Sequence, residues 1–252
     1  MTTQHHTPVA LVTGGNRGLG RATALALASA GVDIVITYLS NEAEAHEVLA
    51  EIEALGHRGA ALALDMTDIA SFDAFADALR QELSDGTFDI LVNNAGTALY
   101  SALESTSEAE FDQVYAVHVK GPFFLTQTLL PLIRDGGRIV NLSSALTRIS
   151  FPGSGAYASA KAAVEVLTRY EALEFGSRGI TANVVAAGPV PTDFGDGHLR
   201  SDPALQDVIV QGTSLGRLAT AEDIGELIAG LTTASGDWVT GQRIEASGGI
   251  RL

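Results

Sequence analysis

The sequence predicts an α/β fold, a single doubly wound domain around a mostly parallel sheet of about seven strands, and three observations carry that expectation. Its apolar runs are short and continuous, the pattern of strands buried on both faces. Helical patterns rich in Ala, Leu and Glu separate successive runs, which calls for right-handed crossovers between parallel neighbours. A glycine-rich turn follows the first run directly and opens into a helix.

Val9-Ala-Leu-Val12 is the first strand. It stops at Thr13-Gly-Gly-Asn-Arg-Gly-Leu-Gly20, after which Ala22 to Ala30 favours helix through its Ala and Leu content. Ile34-Val-Ile36 precedes a helix from Asn41 to Leu55, and Ala60-Ala-Leu-Ala-Leu64 precedes one near Ser71 to Leu83. Ile90-Leu-Val92 runs into Asn93-Asn-Ala-Gly96, and Ser107 to Ile133 reads as one long periodic segment. The alternation continues with Arg138-Ile-Val-Asn-Leu142, a helix ending near Phe175, and Ile180-Thr-Ala-Asn-Val-Val185. A helix near Ala221 to Leu231 and a strand around Arg243 to Ala246 close it. No linker interrupts the pattern, so residues 1–252 read as one domain. Pro189 to Gln211 is the one irregular stretch, and its length suits a mobile lid.

Composition narrows the function. With 15 Lys and Arg against 30 Asp and Glu, the formal charge of −15 has the wrong sign for a phosphate backbone, so nucleic acid is not an expected partner. The absence of cysteine rules out disulfides, zinc-thiolate sites and thiol catalysis. No run approaches the ~18 apolar residues of a membrane span. Met1 to Pro8 is polar and has no apolar signal region, so no membrane partner and a cytoplasmic location are expected.

In an open α/β sheet the ligand lies beyond the carboxyl ends of the strands. After the first strand, Gly14, Gly18 and Gly20 permit a tight turn and close backbone approach, while the next helix offers free N–H groups to a pyrophosphate. Asn16, Arg17 and Leu19 of that turn are candidate contacts with them. After the second strand, Thr37-Tyr-Leu-Ser-Asn41 holds no carboxylate to grip a ribose 2′-hydroxyl, and Asp33 lies at the opposite strand end. Arg17 is suited to a 2′-phosphate instead, which favours NADP(H) over NAD, with Tyr38 and Ser40 as further contacts. Asp65 and Met66 are placed to touch an adenine edge. Asn93, Ala95 and Gly96 would let the cofactor lie against the fourth strand end.

Tyr157-Ala-Ser-Ala-Lys161 puts a phenol and an ammonium four apart on one helix face. A phenol of ordinary pKa ~10 exchanges protons poorly at neutral pH, and a neighbouring cation lowers that value. The pair is therefore a candidate general acid or base. The fifth strand ends at Leu142-Ser-Ser144, which brings Ser144, preferred over Ser143 as the substrate-facing hydroxyl, to the same sheet edge.

Taken together, these residues resemble the short-chain dehydrogenase/reductase family in its single-domain, Rossmann-type branch. The resemblance spans nearly the whole chain: Thr13-Gly14-x-x-x-Gly18-x-Gly20, Asn93-Asn-Ala-Gly96, Ser144, Tyr157-x-x-x-Lys161, Gly188-Pro189 with Thr192, and Gly241-Gln242 with Ser247-Gly-Gly249. It implies that Tyr157 is the general acid in carbonyl reduction and the base in alcohol oxidation, while Ser144 bonds the reacting oxygen. Lys161 would lower the tyrosine pKa and hold the nicotinamide ribose. Gly188, Pro189, Val190 and Thr192 would hold the nicotinamide amide and nearby phosphate. It also implies a homo-oligomer, tetramer or dimer, for which apolar helix faces and the tail Ile250 to Leu252 are suited.

One position departs from the family pattern: His118 stands where an asparagine usually supports a water relay to the lysine. Its backbone carbonyl, or an imidazole exchanging protons near neutral pH, would keep an altered relay. The leading expectation is thus an NADP(H)-dependent oxidoreductase acting on a carbonyl or alcohol carbon of a small molecule. Two other classes stay open: a sensor that binds the cofactor without turnover, and a non-redox reaction such as dehydration. A 3-oxoacyl carrier-protein reductase is the family default, but Asp135 beside Arg134 on an acidic chain offers an acidic carrier little docking charge.

Overall fold

The computed structural model describes residues 6–233 and 236–252; the start of the Met1 to Pro8 segment lies outside the described residues. The apolar runs form the strands β1 (Val9–Val12), β2 (Asp33–Tyr38), β3 (Gly59–Ala63), β4 (Phe88–Asn93), β5 (Ile133–Ser144), β6 (Thr181–Ala187) and β7 (Arg243–Ala246). All pair in parallel, in the order β3-β2-β1-β4-β5-β6-β7. The chain winds outward from β1 to β3, then returns to the other side of β1 with β4. That reversal opens a crevice beyond the carboxyl ends of β1 and β4, the usual place for a ligand in such sheets.

Side-chain alternation splits the strands between two cores. Val12, Ile36, Val92 and Val140 face helices α1 (Gly18–Ser29), α2 (Glu42–Ala54) and α9 (Ala221–Thr232), where they meet Leu27, Ile52 and Ile228. Leu11, Val35, Leu91 and Ile139 face the other way, onto Phe72 and Leu79 of α3 (Phe72–Glu82) and Leu125 of α5 (Gly121–Leu129). Each fully buried Leu, Ile or Phe contributes about 1.5–3 kcal/mol, so the sheet edge carrying the site is held rigidly from both faces. Among the described residues no helix is long and apolar enough to cross a membrane.

Three expectations change. The segment Ser107 to Ile133 is not one helix: α4 (Glu108–Tyr115) gives way to a wide π-helical turn at Ala116–Lys120 before α5 starts. Pro122 explains the break, because it has no N–H to donate and its ring crowds the preceding turn. The fifth strand begins at Ile133 rather than Arg138, with its pairing to β4 shifting register between Phe88 and Ile90. The stretch Pro189 to Gln211 is largely helical at its end, with α7 (His198–Ser201) and α8 (Pro203–Gln211). Asp202 accepts from the Leu205 N–H at 3.0 Å and Pro203 occupies the first turn, two start signals that outweigh the glycines before them.

Candidate active site

A cavity of about 620 Å³ opens along the carboxyl ends of β1, β4, β5 and β6. One end of it is built by the glycine turn. Gly14 has φ 63°, and its N–H donates to Thr37 Oγ1 at 3.1 Å. A Cβ on Gly20 would lie 2.1 Å from the Gly14 carbonyl oxygen, so no larger residue fits there. Helix α1 starts after Arg17 with no side chain capping its first N–H groups and no acidic residue in its first turn. The free donors and positive dipole end therefore face the cavity, an arrangement that fits a pyrophosphate. Gly14, Asn16, Arg17, Gly18, Leu19 and Gly20 all line this end.

Asn94, absent from the expected contacts, braces the turn: its Nδ2 donates to the carbonyls of Thr13 at 2.8 Å and Gly14 at 3.1 Å. Ala95 and Gly96 line the cavity beside it. Asn93 does not. As the last residue of β4 it alternates to the α5 side, where it is buried and donates to Asn141 at 2.8 Å and Thr126 at 3.2 Å.

At the end of β2, Tyr38 lines the cavity and Ser40 does not. The chain turns away after Leu39 because Asn41 caps α2, accepting from the Glu44 N–H at 3.3 Å. Arg17 is exposed, whereas Asn16 is committed to Glu44, donating to it at 2.9 Å. Asp33 holds the Arg58 N–H at 3.0 Å at the far strand end. Asp65 and Met66 also line the cavity, with one Asp65 oxygen accepting from Thr67 N–H and hydroxyl.

The other end gathers Ser144, at the tip of β5, with Tyr157 and Lys161 from the first turns of α6 (Gly155–Phe175). Ser143 is turned aside, its hydroxyl donating to Glu165 at 2.8 Å. Lys161 is buried and donates to the Leu142 carbonyl at 2.7 Å. Burial lowers its pKa to about 7. Burial also pushes the Tyr157 phenol above its ordinary range, reinforced by Tyr100 and opposed by a hydrogen bond with Ser144. The expected lowering by Lys161 is thus not what dominates here: two groups that have left water both favour their neutral forms.

His118 lies on the π-helical turn with its ring edge-on to Tyr157, centroids 5.2 Å apart. Its Nε2 sits 2.7 Å from the Thr97 carbonyl oxygen, and its Nδ1 has no partner among the described residues. Burial, then the charge of Lys161, hold the imidazole down to about 3. Of the two relay routes expected here, the lowered value speaks against the titrating imidazole, since charging it would strand a cation in a dry site, and leaves the backbone-carbonyl route open.

A family model described as enoyl-(acyl carrier protein) reductase matches residues 14–251. The chain belongs to the short-chain dehydrogenase/reductase family. Hydroxynaphthalene reductase-like protein Arp2 of Metarhizium brunneum is 38% identical, over 96% of this chain and 94% of the relative. An NADPH-dependent aldehyde reductase-like, chloroplastic protein of Arabidopsis thaliana is 37% identical over 96% and 93%. Among solved structures, an angucycline C-6 ketoreductase with bound NADP superposes with a TM-score of 0.90 at 35% identity, covering 97% of this chain and 96% of that one. This short-chain dehydrogenase/reductase is accordingly an NAD(P)-dependent oxidoreductase. Gly188, Pro189, Val190 and Thr192 line the cavity between its two ends, where Thr192 approaches Gly18. Gln113 of α4 and Tyr100 line it too. Nothing in the sequence pattern singles out Gln113.

Proposed function

We propose that this protein reduces a ketone or aldehyde to an alcohol with NADPH, and that residues 1–252 hold cofactor and substrate in one domain. The observation that carries the reading is the placement of Ser144, Tyr157 and Lys161 at one end of a cavity whose other end is an uncapped helix N-terminus behind a glycine turn. NADPH, when bound, supplies the hydride that adds to the carbonyl carbon and is itself oxidised to NADP⁺. Tyr157, held as the phenol by burial, gives its proton to the carbonyl oxygen. Ser144 donates a hydrogen bond to the same oxygen and steadies the charge that develops on it. Lys161, with a pKa near neutral, passes a proton to the phenolate left behind and binds the nicotinamide ribose. His118 acts by packing rather than by titration.

Arg17 at the cavity wall, with no carboxylate among residues 37–41 at the end of β2, supports NADP(H) over NAD. Relatives whose structures hold NADP or NADPH support the same choice. Exposed Val166, Tyr170 and Leu173 on α6 and Phe123 on α5 support a homo-oligomer, which light scattering on the purified protein measures. The test of the enzyme reading is the loss of NADPH absorbance over a panel of aldehydes and ketones. NADPH binding without turnover across the panel gives the sensor reading instead.

A further inference from the structure

Resting on the carbonyl-reductase reading, we infer that the substrate is a neutral, flat, fused-ring aromatic ketone, bound between the aromatic side chains of residues 194–198 and the apolar 145–151 segment. Two kinds of wall carry this. Phe194 stands 6.0 Å from Tyr157, ring centre to ring centre, and His198 stands 5.5 Å from Tyr100. A Cβ on Gly195 would lie 2.7 Å from the Tyr100 ring, so the segment is seated directly on that ring through a residue with no side chain. Tyr100, Phe194 and His198 thus bring three rings to the Tyr157 end of the cavity, and all line it. The other wall is mainly aliphatic, with the Phe151 ring among its lining residues. Leu146 and Ile149 line the cavity and belong to a separate apolar cluster with Leu205 and Ile209 of α8. A space with rings on one wall and branched aliphatics on another gains most from a flat apolar guest, which stacks on the rings and fills against the aliphatics.

Charge makes the same choice. Among the described residues the only Lys or Arg side chains lining the cavity are Lys161, at the reacting end, and Arg17, at the cofactor end. Arg148 and Arg200, which flank the apolar walls in sequence, are each paired, with Glu245 at 2.5 Å and Asp193 at 2.6 Å. Arg251 stacks over the Phe151 ring at 4.4 Å without itself lining the cavity, so among the described residues no Lys or Arg of the substrate-half lining awaits a carboxylate or a phosphorylated thioester arm. The ketone is reduced by one hydride and one proton, hydride from NADPH to carbon and proton from Tyr157 to oxygen, giving a secondary alcohol and NADP⁺.

The test compares 1-tetralone, flat and aromatic, with 1-decalone, which has the same ring count but puckered saturated rings, and with pentan-2-one and an acetoacetyl thioester. The expected result is a kcat/KM for 1-tetralone at least about tenfold above 1-decalone and further above the other two, as ring stacking of ordinary strength allows. In Phe194→Leu, which keeps bulk and loses the ring, the tetralone-to-decalone ratio falls about tenfold. Calorimetric titration of the NADP⁺ complex with 2-naphthol, which needs no turnover, is expected to show saturable binding that Phe194→Leu weakens. Equal kcat/KM for tetralone and decalone, or a preference for the thioester, overturns the substrate class and leaves the reductase reading standing. No turnover of any carbonyl overturns both.

Discussion

Lys161 and Tyr157 stand one turn apart on α6, yet the lysine nitrogen lies 5.8 Å from the centre of the tyrosine ring and is bonded to the Leu142 carbonyl at 2.7 Å. The lysine is thus anchored to the end of β5 while standing near the tyrosine ring. Burial raises the phenol and brings the lysine down to about 7, so near neutral pH the pair stands as phenol and partly neutral amine, the form the proposed reduction uses. That state suits proton donation, hence reduction.

Tyr157→Phe keeps the ring that packs on His118 and Phe194 and removes only the hydroxyl. Steady-state reduction is expected to fall about 10²–10⁴-fold, the usual contribution of a positioned proton donor. NADPH affinity, followed by fluorescence titration, is expected to change far less. Turnover at the wild-type rate would remove Tyr157 from the proton path.

His118 gives an expectation about pH. With its imidazole held down to about 3, no limb of the rate profile between about pH 5 and 8 belongs to this ring. His118→Asn is thus expected to change the rate without changing the shape of log kcat against pH. The loss of an inflection near pH ~6.5 in the variant would show that the ring titrates after all.

Much of this site was legible because it follows from spacing. Tyr157 and Lys161 share a face by the helical repeat, and Ser144 comes to them because parallel strands all end at one sheet edge. What was misplaced depended on a single turn or a single alternation. Asn93 looked like a cofactor contact, but β4 extends through it, so its side chain faces α5 and Asn94 serves the glycine turn. Ser40 missed the cavity because the Asn41 cap redirects the chain. The helices α7 and α8 were hidden behind Gly195, Gly197 and Pro203, although Asp202-Pro203 is itself a helix start. The neutral state of His118 follows from burial, which no local pattern announces.

Arg17 sets the cofactor expectation. It is exposed at the cavity wall, and residues 37–41 at the end of β2 hold no carboxylate to grip a ribose hydroxyl. Of the two carboxylates in the first turn of α2, Glu42 stands against the Tyr38 phenol and Glu44 accepts from Asn16 at 2.9 Å. Arg17→Ser is expected to lower the NADPH-to-NADH ratio of kcat/KM about tenfold or more, since a charged hydrogen bond contributes roughly 1.5–3 kcal/mol. An unchanged ratio would place the discrimination elsewhere in the β2 turn.

Glu171 links the buried interior to pH. It is 4% exposed on α6, accepts from Asn141 Nδ2 at 2.6 Å, and leaves its second oxygen without a partner among the described residues. Burial pushes the carboxyl up to about 7 in spite of the Asn141 bond, against an ordinary value of 4.5. A raised folded pKa means the native chain keeps a proton that the unfolded chain gives up. The contribution to stability is therefore full below about pH 4.5, declines as pH rises, and is lost above about pH 7. Glu171→Gln keeps the shape and the acceptor for Asn141 while removing the titration. Denaturant unfolding is expected to find variant and wild type alike near pH 4.5, with the variant more stable by roughly 1–3 kcal/mol at pH ~8. A variant no more stable at the higher pH would show that the carboxylate is solvated there, by water reaching its second oxygen or by opening of α6 over β5.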